Sequence, residues 1–297
     1  MAEKGIYGTG CKNIRAIGMI VKPFVVYYGI NFITTVLLTY LVDICIRFVG
    51  GAWDIEYQPT VSAVIGGLAM VSGILPLWSA FRKEVCNNND CNNNKCNNKY
   101  KNNARDNNKK ISFKKSLLTI TLAFSSSVSL NILFISLHLT ESSETYNQVA
   151  AHQYGVILPV GLVLYGIVSP LAEEIVFRGI IYNRMKNIWM NFQDKHRGPV
   201  IVPMLLSSLL FGIYHGNIVQ MLYGFLMGML IAYVYEKCGH FLYAFLFHAA
   251  ANSTIYMMTG NIFLYERFTK PYIGLVLAGI TVLLLYFWGR TFFSEKR

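Results

Sequence analysis

Residues 172–179 read AEEIVFRG and lie near the end of a long apolar stretch that begins near Gly155. About 20 apolar residues are enough to cross a bilayer as a helix. Glu173, Glu174 and Arg178 therefore fall inside a segment of membrane-spanning length. Charged groups are costly there unless they pair or face a polar cavity, so the stretch indicates a functional site within a membrane.

The composition favours a polytopic membrane protein over a soluble enzyme. Of the 297 residues, 54% are hydrophobic and only 14% are charged, which is typical of membrane proteins. The net charge is +11, but Lys and Arg concentrate in loops and termini, where they set topology. No basic stripe interleaved with aromatic residues is evident, so we expect no nucleic-acid partner.

The hydrophobic pattern predicts an all-α fold, a polytopic membrane helix bundle with about eight transmembrane helices. Each predicted span is an apolar segment bounded by loops of higher polarity. The spans are Phe24–Val42, Pro59–Phe81, Ser116–His138, Gly155–Tyr182, Val200–Gly216, Gln220–Glu236, Phe241–Thr259 and Tyr272–Trp288.

The charges of the loops predict the orientation. Arg82–Lys115 carries ten Lys or Arg against three acids, whereas Gly50–Gln58 and Thr140–Tyr154 carry acids and no Lys or Arg. Basic loops stay inside, so we expect a multi-pass protein of the cell membrane with both termini in the cytoplasm. Gly260–Pro271 carries Arg and Lys on the predicted outer side and is an exception.

The cysteines do not predict a metal site. Cys86, Cys91 and Cys96 recur every five residues in a segment that holds twelve asparagines, and this spacing differs from the CxxC pairs of zinc sites. A disordered low-complexity loop is favoured, and the role of the three cysteines stays open. Cys45 and Cys238 lie in or beside apolar segments and are expected in the core.

Polar side chains also occur on two later spans, which read FGIYH at residues 211–215 and HAAAN at residues 248–252. His248 and Asn252 are four apart and share one helix face. A lone intramembrane His or Asn is often only a helix-packing residue. Glu, His and Asn on three spans, with Arg178 as the evident intramembrane cation, favour a convergent polar site instead.

The two glutamates are expected to face different neighbours. Glu174 and Arg178 are four residues apart, so they share a face and can pair, whereas Glu173 lies about 100° around the helix. A carboxylate beside an imidazole can deprotonate water, and a second His with an Asn can donate to an oxyanion. These groups fit the hydrolysis of an amide bond.

A zinc site is the alternative chemistry, because two histidines and a glutamate form a known zinc-ligand set. The HExxH signature of metalloproteases is absent, and so is a serine in a G-x-S-x-G setting.

A shared site requires the three motifs to lie at similar depth. Glu173 and His248 lie about 14 and 12 Å from the cytoplasmic ends of their spans, but His215 lies about 24 Å from Pro199. We therefore predict that the span carrying His215 begins below the interface, tilts strongly, or kinks at Pro203.

The order E-E-x-x-x-R, F-x-x-x-H and H-x-x-x-N over roughly residues 168–252 resembles the CAAX-protease and bacteriocin-processing family, whose members are intramembrane proteases similar to the type II CAAX prenyl endopeptidases. The resemblance implies an endopeptidase in which Glu173 is the general base and His215 holds the water. His248 and Asn252 would form the oxyanion site.

By the same resemblance, Glu174 and Arg178 support the catalytic residues. A glutamate mechanism without a cofactor is favoured over a metal-dependent one, in which Glu173, His215 and His248 would hold zinc.

The resemblance divides the chain into three predicted regions. Residues 1–154 hold N-terminal spans and the Asn-rich cytoplasmic loop at about 82–115, residues 155–260 form the catalytic core, and residues 261–297 hold the last span and a basic tail. The expected partners are the lipid bilayer and a peptide or membrane-protein substrate, prenylated or not. The Asn- and Lys-rich residue usage indicates a bacterial source.

Two other functions use the same residues. One is a non-catalytic membrane protein for peptide binding or bacteriocin immunity. The other is a proton-coupled transporter in which Glu and His relay protons.

Overall fold

Helices form every described element of the computed structural model, which describes residues 3–51, 58–86, 111–192 and 200–294. Within these ranges there is no β-strand, which confirms the predicted all-α class. The α-helices, in chain order, are α1 (Glu3–Phe48), α2 (Gln58–Ile74), α3 (Trp78–Cys86), α4 (Phe113–Ser136), α5 (Glu144–Tyr154), α6 (Leu158–Val163), α7 (Ser169–Glu174), α8 (Asn183–Phe192), α9 (Ile201–Tyr214), α10 (Ile218–Cys238), α11 (Phe241–Thr259), α12 (Ile262–Phe268) and α13 (Pro271–Ser294).

Two π-helical segments interrupt the helix that carries AEEIVFRG. Leu164–Val168 joins α6 to α7, and Ile175–Tyr182 joins α7 to α8. The wider π turn is rare and often marks functional sites. Here the two segments enclose the short α7 with its two glutamates. A shorter 3₁₀ turn, Leu75–Leu77, joins α2 to α3.

Within the described part of the chain, six helical runs are long and apolar enough to cross a bilayer, which confirms a multi-pass membrane bundle. They are Ala16–Phe48, Gln58–Val85, Phe113–Ser136, Leu158–Met190, Ile218–Cys238 and Pro271–Trp288. The other two predicted spans correspond to α9, with 14 residues, and α11, with 19 residues. They are not among the six, so a count of eight spans stays a prediction.

The run from α6 to α8 lies inside the bundle, where every residue from Ala172 to Asn183 is buried. It is surrounded by α1, α2, α3, α9 and α11, while α4 packs against α11 and α13. By contrast, large side chains of α1 such as Phe32 and Tyr40 are more than half exposed, which suits a lipid-facing surface.

Contacts between helices cross the predicted boundaries of the three regions, because α4 precedes residue 155 and packs against both α11 and α13. The division into regions stays a prediction. Helices α3 and α4 cover the two ends of the predicted Asn-rich loop, and residues 87–110, with Cys91 and Cys96, lie outside the described residues.

One prediction for the cysteines is wrong. Cys238 is buried as expected, but Cys45 is exposed on α1. The sequence places Cys45 in an apolar helix, and an apolar helix at the edge of a membrane bundle turns much of its surface to lipid rather than to the core.

His240 immediately precedes α11, the helix that carries His248, and caps its N-terminus. Its Nδ1 accepts a hydrogen bond from the backbone N–H of Leu242 at 3.1 Å. Burial lowers the pKa of His240, which favours the neutral ring that this bond requires.

Close packing of α9 against α10 depends on Gly212. A Cβ atom there would lie 2.5 Å from the backbone oxygen of Met221, which cannot move without shifting α10. We expect Gly212→Ala to destabilise the protein by about 1–3 kcal/mol, the usual cost of overpacking. The thermal midpoint in detergent should fall. Gly66→Ala is the matched control, since nothing lies within 4 Å of that position, and equal midpoints for the two variants would contradict the expectation.

Candidate active site

Glu174 and Arg178 form a buried ion pair, as the i, i+4 spacing predicts. Arg178 Nη1 donates to Glu174 Oε1 at 2.9 Å, and both side chains are fully buried. Arg178 Nη2 also donates to the carbonyl of Gly228 at 3.1 Å, and the guanidinium lies 4.4 Å from the ring centroid of Phe211. The cation is therefore held by a carboxylate, a carbonyl and an aromatic face.

Glu173 faces a different set of neighbours, although it is almost as deeply buried. Its Oε1 accepts a hydrogen bond from the Ser169 hydroxyl at 2.5 Å. Its Oε2 lies 3.7 Å from Nε2 of His248. Ser169 was not among the predicted site residues, but its position four residues before Glu173 on one helix was a usable signal.

His248 lies between the two glutamates. Its Nδ1 donates to Glu174 Oε1 at 2.8 Å, because an ionised carboxylate only accepts. Its other nitrogen, Nε2, is the one near Glu173. The sequence predicts that His248 belongs to the site, but not that one imidazole joins both carboxylates, since α7 and α11 are 74 residues apart in the chain.

His215 follows the last residue of α9. Its Nδ1 donates to the carbonyl of Phe211 at 2.9 Å, which leaves Nε2 unprotonated in the neutral ring. The ring of Phe211 packs edge-to-face against both imidazoles, at 5.0 Å from His215 and 5.5 Å from His248. Phe211 thereby fixes the relative placement of the two histidines.

Asn252 lies one turn beyond His248 on α11. Its Nδ2 donates to the carbonyl of Tyr165 at 3.2 Å. Tyr165 belongs to the first π-helical segment, where the backbone departs from the regular α-helical pattern. An amide nitrogen carries two hydrogens, so Asn252 has a second donor for another acceptor.

These groups converge on one cavity of about 370 Å³. Glu173, His215, His248 and Asn252 all line it, whereas Glu174 and Arg178 do not. The structure therefore brings residues of all three motifs to one cavity. Pro203 lies in the first turn of α9, where its missing N–H breaks no helical hydrogen bond, so it does not kink the middle of that helix.

Zinc is the alternative ligand of these side chains. Among the described residues, no three or more His, Cys, Asp or Glu side chains are grouped as a metal ion would require. Nδ1 of His215 and Nδ1 of His248 bond to protein oxygens, which leaves Nε2 of each ring as the nitrogen that a metal ion would use. The mechanism without a metal stays a prediction.

A comparison with protein families gives a match over the segment that carries the site. Residues 155–254 match the family model of the Rce1-like type II CAAX prenyl endopeptidases. The match confirms the resemblance seen in the motifs and contains all six predicted site residues. Neither the curated proteins nor the solved structures gave a match to the chain.

The cavity extends beyond the Rce1-like segment. Tyr28 on α1, Asn131 on α4 and Tyr146 on α5 also line it, and all three precede residue 155. The matched segment therefore carries the polar motifs, while the N-terminal helices supply part of the cavity wall.

The buried pair makes a prediction about stability. Removal of one partner leaves an uncompensated buried charge, so Arg178→Met should cost about 3–5 kcal/mol in unfolding free energy. Titration with a denaturing detergent would measure this loss of unfolding free energy.

Arg47→Met is the matched control, because Arg47 pairs with Asp43 at the same spacing but is 77% exposed. This substitution should cost less than about 1 kcal/mol. The double variant Glu174→Leu/Arg178→Met should regain part of the loss; a double variant no more stable than Arg178→Met would contradict the expectation.

Proposed function

We propose that the protein is an intramembrane endopeptidase in which Glu173 activates a water molecule. One observation carries this proposal: the four predicted catalytic side chains line a single cavity, while the supporting pair Glu174–Arg178 lies outside it. The description of the matched family names an endopeptidase, and six apolar helical runs place the cavity within a membrane bundle.

The attacking water is held between Glu173 and His215. The unprotonated Nε2 of His215 accepts a hydrogen bond from one O–H of the water. The Glu173 carboxylate accepts a hydrogen bond from the other O–H and, as general base, removes that proton. As Glu173 takes that proton, the water oxygen forms a bond to the carbonyl carbon of the substrate. Ser169 orients the carboxylate, because its hydroxyl occupies Oε1 and leaves Oε2 available.

The negative charge that develops on the carbonyl oxygen needs donors. Asn252 supplies the N–H that does not bond to Tyr165, and His248 supplies Nε2–H when its ring is protonated. Each such donor is worth a few kcal/mol in the transition state.

Collapse of the tetrahedral intermediate completes the reaction. The carbon–nitrogen bond breaks, and Glu173 returns its proton to the leaving amine nitrogen, so that one water is consumed and a carboxylic acid and an amine form. Glu174 and Arg178 act indirectly in this scheme. Arg178 neutralises Glu174, and Glu174 fixes the ring of His248.

The proposed substrate is a peptide or a segment of a membrane-associated protein. The loop charges support an orientation with both termini in the cytoplasm of a bacterial cell, since basic residues concentrate between α3 and α4 and between α8 and α9.

Glu173→Gln tests the general base directly. The amide keeps the volume of the side chain but cannot accept the proton, so cleavage should fall by about 10²–10⁴-fold. Comparative peptidomics of cells that carry the wild type or the variant would measure it, as loss of products and accumulation of uncleaved peptides.

Glu141→Gln is the control for that experiment, because Glu141 is exposed and pairs with His138 on the surface. Its peptide profile should match the wild type. If the Glu173→Gln profile also matches, the endopeptidase proposal fails, and a cell phenotype retained with that profile would favour a peptide-binding protein.

Removal of metal distinguishes the glutamate mechanism from zinc catalysis. We expect the purified protein, dialysed against 1,10-phenanthroline, to cleave a peptide identified by the peptidomics at the untreated rate, because the proposed glutamate mechanism needs no metal ion. Loss of cleavage that is restored by added zinc would assign the reaction to a metal instead.

A further inference from the structure

The cavity continues away from the catalytic residues toward one end of the bundle. Its wall there contains Asn131 near the end of α4, Thr140 just after α4, and Gln153 on α5. Tyr223, in the first turns of α10, lies on the same wall and donates to the carbonyl of Ser127 on α4.

The opposite side of the catalytic residues is tightly packed. Phe177, Arg178, Tyr182 and Tyr235 are each no more than 1% exposed. None of the residues that line the cavity comes from α3 or α8, the described helices at that end. Within the described part of the chain, the catalytic residues are thus open toward α5 and closed toward α8.

The two ends differ in charge. Residues 140–154, which include α5, carry Glu141 and Glu144 and no Lys or Arg. Arg267 and Lys270, between α11 and α13, lie at the same end and are the exception to this pattern. The packed end carries Arg184 and Lys186, which pair with acids of neighbouring helices. Because basic ends stay in the cytoplasm, the open end of the cavity corresponds to the extracytoplasmic side.

The lining of the cavity suits a peptide segment that carries no charge. Among the described residues, seven tyrosines line the cavity, Glu173 is the one acid, and no Lys or Arg lines it. A terminal carboxylate would meet Glu173 without a compensating cation, which disfavours a free C-terminus at this site.

We propose that this outer half of the cavity binds an uncharged, extended internal segment of a peptide that reaches it from the extracytoplasmic side. The inference rests on the proposed endopeptidase function and narrows its substrate class. Backbone amides of the segment bond to the tyrosine hydroxyls, and its apolar side chains pack on the aromatic rings. The volume of about 370 Å³ is within the usual range of ligand pockets.

Single-cysteine variants of the full chain, with the native cysteines replaced by serine, test the side of access. Glu141→Cys reports the α4–α5 connection, Gln153→Cys reports the cavity wall, and Phe113→Cys, which replaces an 82% exposed side chain at the basic end, is the control. Intact cells are treated with a bulky, membrane-impermeant maleimide, and each variant is compared with its own untreated culture.

We expect Glu141→Cys and Gln153→Cys to be labelled in intact cells and Phe113→Cys only after permeabilisation. Labelling of Gln153→Cys should also lower cleavage at least tenfold, seen as accumulation of the peptides that accumulate in Glu173→Gln cells. Labelling of Gln153→Cys only after permeabilisation, or no labelling, or labelling without loss of cleavage, would overturn the inference. The proposed function fails separately, if Glu173→Gln leaves the peptide profile unchanged.

Discussion

The carboxylate of Glu174 is the group on which the site depends. It accepts from Arg178 and from His248 through the same oxygen, and it lies in a core that excludes water. An unpaired charge at that place would cost several kcal/mol. Arg178 also bonds to Gly228 on α10, and His248 on α11 also packs against Phe211. The contacts of Glu174 therefore help to fix the distances between α7, α10 and α11. The ion pair thus sets the geometry around Glu173 without lining the cavity.

Glu173 and Glu174 are adjacent in the sequence but have different surroundings, so one can support the site while the other faces the cavity. Glu174 is enclosed by a cation and an imidazole, whereas Glu173 contacts a hydroxyl and borders the cavity. A turn of about 100° between adjacent residues suffices for this separation. The π-helical segments on either side of α7 widen the backbone, and the carbonyl of Tyr165 in one of them receives the Asn252 amide.

The sequence predicts contacts within a helix much better than contacts between helices. The pair Glu174–Arg178 follows from its i, i+4 spacing, and the apolar runs identify six of the membrane-crossing helices. The double contact of His248 and the placement of both imidazoles on Phe211 depend on how α7, α9 and α11 pack. No local pattern encodes that packing. The π-helical segments were missed for a related reason, since their residues are as apolar as those of an ordinary span.

The N-terminal helices show why the matched segment does not describe the whole site. Its motifs place the reacting groups, but a cavity that holds a peptide needs walls, and α1, α4 and α5 supply several of them. Those walls are aromatic and uncharged, and they meet the reacting groups from one side only. In the proposed function a peptide bond reaches Glu173 through that side, so the N-terminal helices, together with Tyr165 and Tyr223 of the matched segment, would select the peptides that arrive.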